Sequence, residues 1–99
     1  MKRHETDLSY FKGNRIHVAV SQNLDFEKIK EIAKTKAKEL CPDPMLLSYF
    51  NGITGKGYPD LECGSGDHPP WFVYAEARGG DIMVDINNGE YLFVYLGIY

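Results

Sequence analysis

Apolar residues along this chain recur at two different spacings, and each change of period marks a new element. Between Arg15 and Val20, Ile16, Val18 and Val20 alternate with Arg15, His17 and Ala19. β-Branched side chains at period two fit one face of a strand, and so apolar a set suits a central position in a sheet. From Phe26 the spacing lengthens. Ile29, Ile32, Ala33, Ala37 and Leu40 recur at three- and four-residue steps, the stripe of an amphipathic helix. Asn23 or Asp25 offers the capping oxygen for its first turn. Cys41-Pro42-Asp43-Pro44 ends it, because proline lacks the amide and pushes its predecessor out of the helical region.

Shorter runs flank these two elements. Leu8 to Phe11 reads as a short edge strand closed by Lys12-Gly13-Asn14. Met45 to Phe50 fits a buried strand, although periodicity alone does not separate that from a helical turn. Asn51 to Pro70 is rich in glycine and proline and reads as one long loop.

The last third carries three alternating runs, Trp71 to Arg78, Asp81 to Ile86 and Glu90 to Leu96, separated by Gly79-Gly80 and Asn87-Asn88-Gly89. They predict a three-stranded antiparallel meander. A two-residue Gly79-Gly80 turn sets Tyr74 opposite Asp85. A three-residue second loop sets Val84 opposite Leu92, whereas a strict Asn88-Gly89 turn sets Asp85 opposite Leu92 and mixes the faces. The first register sorts the side chains cleanly. Val73, Ala75, Ala77, Ile82, Val84, Ile86, Leu92, Val94 and Leu96 form the core face, and the other carries Phe72, Tyr74, Glu76, Arg78, Asp81, Met83, Asp85, Tyr91, Phe93 and Tyr95. The expected fold is therefore a single α+β domain over residues 1–99, with one amphipathic helix packed on an antiparallel sheet.

Composition narrows the function classes. Lys+Arg 11 against Asp+Glu 14 gives a net charge of -3, a field that does not favour polyanions. Stacking on Phe72, Tyr74, Tyr91 and Phe93 would lack the cationic groove that single-stranded nucleic acids require, since Arg78 stands there against Glu76, Asp81 and Asp85. The charged start, Met1 to Asp7, leads into no apolar stretch of signal-peptide type, and no run approaches a membrane span. Two cysteines fit a reducing compartment. A cytoplasmic location is expected, with neither membrane nor nucleic acid as partner.

Candidate chemistry is sparse. Cys63 and His68, with Asp67, Asp60 or Cys41, lack the spacing of a zinc site, so no metal is expected. Gly52, Gly55, Lys56 and Gly57 share only composition with a phosphate loop: the interval is wrong and Tyr58-Pro59-Asp60 follows where a helix should begin. Lys30, Lys34 and Lys38 form a row along the helix that invites a phosphate, yet Glu27 and Glu31 lie three or four residues from several of them, and paired surface charges account for the row. Glu76 and Asp85 share the second sheet face with Arg78 and the tyrosines, where cross-strand pairing explains them as well as acid–base chemistry does. His17 reads as a surface histidine.

Trp71-Phe72-Val73-Tyr74-Ala75-Glu76-Ala77-Arg78-Gly79-Gly80-Asp81, followed by Asp85 to Tyr91 and preceded by Pro44 to Phe50, resembles a family of short bacterial proteins known only as an uncharacterised domain. The resemblance implies one compact α+β domain and brings no activity, cofactor or site. The residues favour an interaction module that docks a protein partner, or a second copy, on Phe72, Tyr74, Glu76, Arg78, Asp85, Tyr91, Phe93 and Tyr95. The alternative is a small-molecule site, enzymatic at most in a minor way, between that face and the 51–70 loop. No cofactor is expected.

Overall fold

The structure is a computed structural model and describes residues 11, 13–21, 24–58 and 70–97. Five strands and two helices follow one another as β1 (Asn14–Val18), α1 (Phe26–Ala37), β2 (Met45–Asn51), β3 (Lys56–Tyr58), α2 (Pro70–Ala77), β4 (Ile82–Ile86) and β5 (Tyr91–Leu96). The strands make one sheet in the order β1-β4-β5-β2-β3. β1 runs parallel to β4, and every other pairing is antiparallel. The α+β class holds, with a mixed sheet and a helix on each face. No helix among the described residues is long and apolar enough to cross a membrane.

α1 begins where Asp25 Oδ1 accepts the Lys28 amide at 2.9 Å, the N-cap bond that satisfies a free first-turn donor. Its inner line is Ile29, Ala33 and Ala37, all buried. Two alanines let the helix axis come close to β4 and β5, over which it lies. The helix stops at Ala37, three residues before the end of the apolar stripe, and Leu40 is left exposed. Beneath it an aromatic group closes the core, with Phe26 against Phe93, Tyr91 and Tyr49 at centroid distances of 5.1–5.9 Å.

The segment expected to open the meander is instead α2. Its buried residues Trp71, Phe72 and Ala75 sit one and three steps apart, a helical face hidden inside an apparent alternation. Proline at the first position costs no intrahelical bond. The Gly79-Gly80 pair is a helix terminator, not a hairpin turn. Gly79 takes φ +83°, its amide bonds the Glu76 carbonyl, and the Gly80 amide reaches back to the Ala75 carbonyl at 2.9 Å. That double bond pattern is the Schellman ending. α2 covers the opposite face, packing with Leu47, Met83, Leu92 and Val94. A β-carbon at Gly57 would meet the Trp71 ring at 2.6 Å, so glycine is what lets α2 sit on β3.

The β4–β5 hairpin also departs from the expected register. Ile86 faces Tyr91, Asp85 faces Leu92 and Val84 faces Phe93. This is the pairing that seemed to mix faces. The objection fails because both faces are core: β4 sends aliphatic residues toward α1 where β5 sends aromatic ones, and the reverse side is buried under α2. Asn87, Asn88 and Gly89 all take left-handed φ, 54°, 56° and 91°, which asparagine and glycine tolerate best.

Two further expectations shift. The first eight residues of the presumed loop form a hairpin with β2, turned by Asn51, whose side chain accepts the Ile53 amide at 2.9 Å. β1 lies at a sheet edge, not its centre, and Val20 beyond it is held by the Asn87 side-chain amide through bonds of 2.9 and 3.3 Å. Residues 8–10 of the expected N-terminal strand lie outside the described set, and Phe11, not in a strand, rests its ring edge on Phe72.

Candidate functional site

The aromatic and acidic face anticipated from the sequence does not exist as a face. Phe72 is buried on the inner side of α2, Tyr74 is half-buried with the Arg78 guanidinium stacked 3.7 Å from its ring centroid, and Glu76 is exposed. Tyr91, Phe93 and Tyr95 are buried on the α1 side. Asp85, one strand away, points to the α2 side. The misreading has one cause: taking 71–78 as a strand left the sheet with a single covering helix and a bare second face.

One of those residues does reach a cavity. Tyr95 lies with Leu46 on the floor of a recess of about 180 Å³ between α1 and the start of β2, walled by Lys30 and Lys34 and closed at one end by Pro44. Leu46 and Tyr95 are direct partners in the β2–β5 ladder. Burial pushes the Tyr95 phenol well above its ordinary value of 10.0, so it stays protonated and able to donate. Among the described residues nothing bonds its hydroxyl.

The two lysines are the unexpected part. Glu27 and Glu31 were to neutralise the row, yet the ion pair that α1 and its C-terminal turn make is Lys36 with Glu39 at 3.6 Å. Lys30 and Lys34 have no ion pair among the described residues. Like charges at this spacing oppose a helix by about 0.2–0.5 kcal/mol. The sequence signal was present in the lysine row, and pairing by spacing hid it.

A second polar cluster lies on the other face, at the open end of the β1–β4 pair. Asp85, buried, accepts the Gly89 amide through Oδ1 at 2.6 Å, while its Oδ2 faces Arg15 Nη2 and His17 Nδ1, each at 3.5 Å. Parallel pairing brings these together, since His17 is the register partner of Asp85 and Arg15 that of Met83. His17, read as an isolated surface side chain, is exposed but aims one ring nitrogen at the carboxylate. The cluster ties the β4–β5 turn to the edge strand and compensates a buried charge.

Of the sulfur and imidazole candidates, Cys41 is buried and unoxidised in the α1 core. Cys63, His68, Asp67 and Asp60 lie outside the described residues, as does the whole 59–69 part of the 51–70 loop expected against the sheet face. Among the described residues no three His, Cys, Asp or Glu side chains converge on a common point.

The model of a family described as "Domain of unknown function (DUF5619)" matches residues 13–95, from the start of β1 to the floor of the cavity. This chain is a DUF5619 domain. An uncharacterised protein of Archaeoglobus fulgidus is similar to it, 30% identical over 80 residues that cover 81% of this chain and 85% of that protein. A crystal structure of a protein from the same archaeon superposes with a TM-score of 0.76 at 26% identity, covering 89% of this chain and 98% of the other. The family expected from the sequence is thus an unknown-function one, and the relatives that match are archaeal where the resemblance pointed to bacteria. The DUF5619 fold is shared along nearly the whole of the archaeal chain.

Proposed function

We propose that this DUF5619 domain is a small-molecule-binding module whose ligand sits in the recess between α1 and β2. The observation that carries the reading is the recess itself: a concave site of about 180 Å³ that combines an apolar floor with three polar residues, Lys30, Lys34 and Tyr95, whose side chains have no bonding partner among the described residues. Sites for small ligands are mostly apolar with a few converging polar groups. This moves the small-molecule alternative from the 51–70 loop to the recess beside α1, and of the expected face residues it keeps Tyr95. A thermal-shift screen of a metabolite library, followed by amide mapping of each hit, tests it. Hits that perturb Lys30, Leu46 and Tyr95 support the reading, and hits that map only elsewhere, or their complete lack, remove it.

Self-association is a second reading, supported by Ile53 and Tyr58, which are 65% and 54% exposed. Both lie on the β2–β3 hairpin at a sheet edge, where Tyr58 stacks on Tyr49 at 5.4 Å. Isolated domains keep such residues scattered, whereas two-fold dimers join them. Sedimentation at micromolar concentration is expected to show a dimer that Ile53→Ser dissociates, and a wild-type monomer removes the idea.

A further inference from the structure

Resting on the binding site just described, we infer that its ligand is a small phosphomonoester, with the phosphate between Lys30 and Lys34 and a short apolar tail on Leu46 and Pro44.

Two lysines one helical turn apart, lining the same recess and without an ion pair among the described residues, form a local positive site on a chain whose net charge is -3. A phosphomonoester carries about -1.5 to -2 at neutral pH and matches two lysines better than a single carboxylate does. The cation type points the same way. Lysine acts as a compact point charge and is a common phosphate ligand, and both cations of the recess are lysines. Tyr95 adds a neutral donor on the floor, the kind of group that bonds an anion without repelling it.

Size then limits the tail. A volume of about 180 Å³ corresponds to roughly six waters. That accommodates a phosphate and a few carbons inside the recess, and Pro44 and Leu46 offer the tail only apolar surface.

Chemical-shift titration of the full-length chain with ethyl phosphate, inorganic phosphate, butyrate and the neutral butyramide tests the proposal. Ethyl phosphate is expected to bind most tightly and to move the amides of Lys30, Lys34, Leu46 and Tyr95. Lys30→Gln with Lys34→Gln is expected to weaken it by roughly tenfold or more, as loss of charge-assisted bonds does, while Lys30→Arg with Lys34→Arg restores most of the affinity. These lysines are outside the core, so both double variants should fold, and their melting temperatures verify it. If butyramide binds in the recess as well as ethyl phosphate does, the phosphate assignment falls and the binding site stands. If butyrate is preferred, the anion class holds no longer for phosphate and the proposal is overturned. If no probe moves the cavity amides, site and ligand fall together.

Discussion

Asp85→Ala removes the group that joins the edge strand to the β4–β5 turn, and its cost follows from three contacts. The Gly89 amide loses a charged acceptor at 2.6 Å, a bond of about 1.5–3 kcal/mol. The Arg15 pair adds less, about 0.5–1 kcal/mol, since that side chain is 33% exposed and solvent screens it. His17, 62% exposed, adds little. Three consecutive left-handed residues also lose the bond that holds their turn. The sum is about 2–4 kcal/mol, a large part of the roughly 5–15 kcal/mol expected for a domain of this size. The melting temperature should fall by roughly 8–30 °C, and the urea midpoint should drop with an unchanged slope. Asp85→Asn keeps an acceptor for Gly89 and should recover about half of the loss. An alanine variant within about 0.5 kcal/mol of the parent, or an asparagine variant as damaged as alanine, refutes this account of the cluster.

Phe93→Ala should destabilise by about 3–5 kcal/mol, the cost of a fully buried aromatic, because Phe93 is 0% exposed; calorimetry showing a loss under about 1 kcal/mol would return it to the surface. Ser48 is 0% exposed at the β2 bulge, and among the described residues no group bonds its hydroxyl. Removing an unpaired buried hydroxyl relieves part of a cost of about 1–3 kcal/mol, so Ser48→Ala should raise stability by about 1 kcal/mol, and a loss of that size in urea would mean the hydroxyl is bonded. The Tyr95 phenol is raised in the folded state from 10.0, so its contribution is complete below pH 10 and is lost as pH rises beyond it, where only the unfolded chain releases the proton. Stability measured from pH 9 to 11 should therefore fall more steeply in the parent than in Tyr95→Phe; parallel profiles would count against a buried phenol.

The elements that the sequence disclosed are those whose pattern has one physical cause. α1 was legible because Ile29, Ala33 and Ala37 face one core while Glu27, Lys28 and Glu31 face water, and the Asp25 cap lies at its start. β4 and β5 were legible as strands but not in register, since both are buried on both faces and alternation then carries no inside or outside. α2 was illegible for a related reason. A short helix wedged against a sheet needs only Trp71, Phe72 and Ala75 inward, and its remaining Val73 and Tyr74 completed a false period of two. The glycine pair that follows served two grammars equally, hairpin and helix end. The site suffered most from this. Lys30 and Lys34 were visible as a row, but the recess depends on Tyr95 and Leu46 meeting across strands far apart in the chain, which no local window contains.

The parallel pairing of β1 with β4 gives the domain a long wait during synthesis. Val20 and Asn87, which clasp each other just beyond that pair, are 67 residues apart. At cellular elongation rates of about 5–20 residues per second, roughly 3–13 s pass between the emergence of the two. Over that interval β1 is an unpaired strand with Ile16 and Val18 bare, open to any other nascent edge. Arg15 and His17 alternate with them, and polar side chains of that kind on an edge strand discourage wrong pairing. The same two side chains are later matched by Asp85, a carboxylate that arrives on β4 itself. The polar side chains that guard the strand while it waits thus become the mark by which it recognises its proper neighbour.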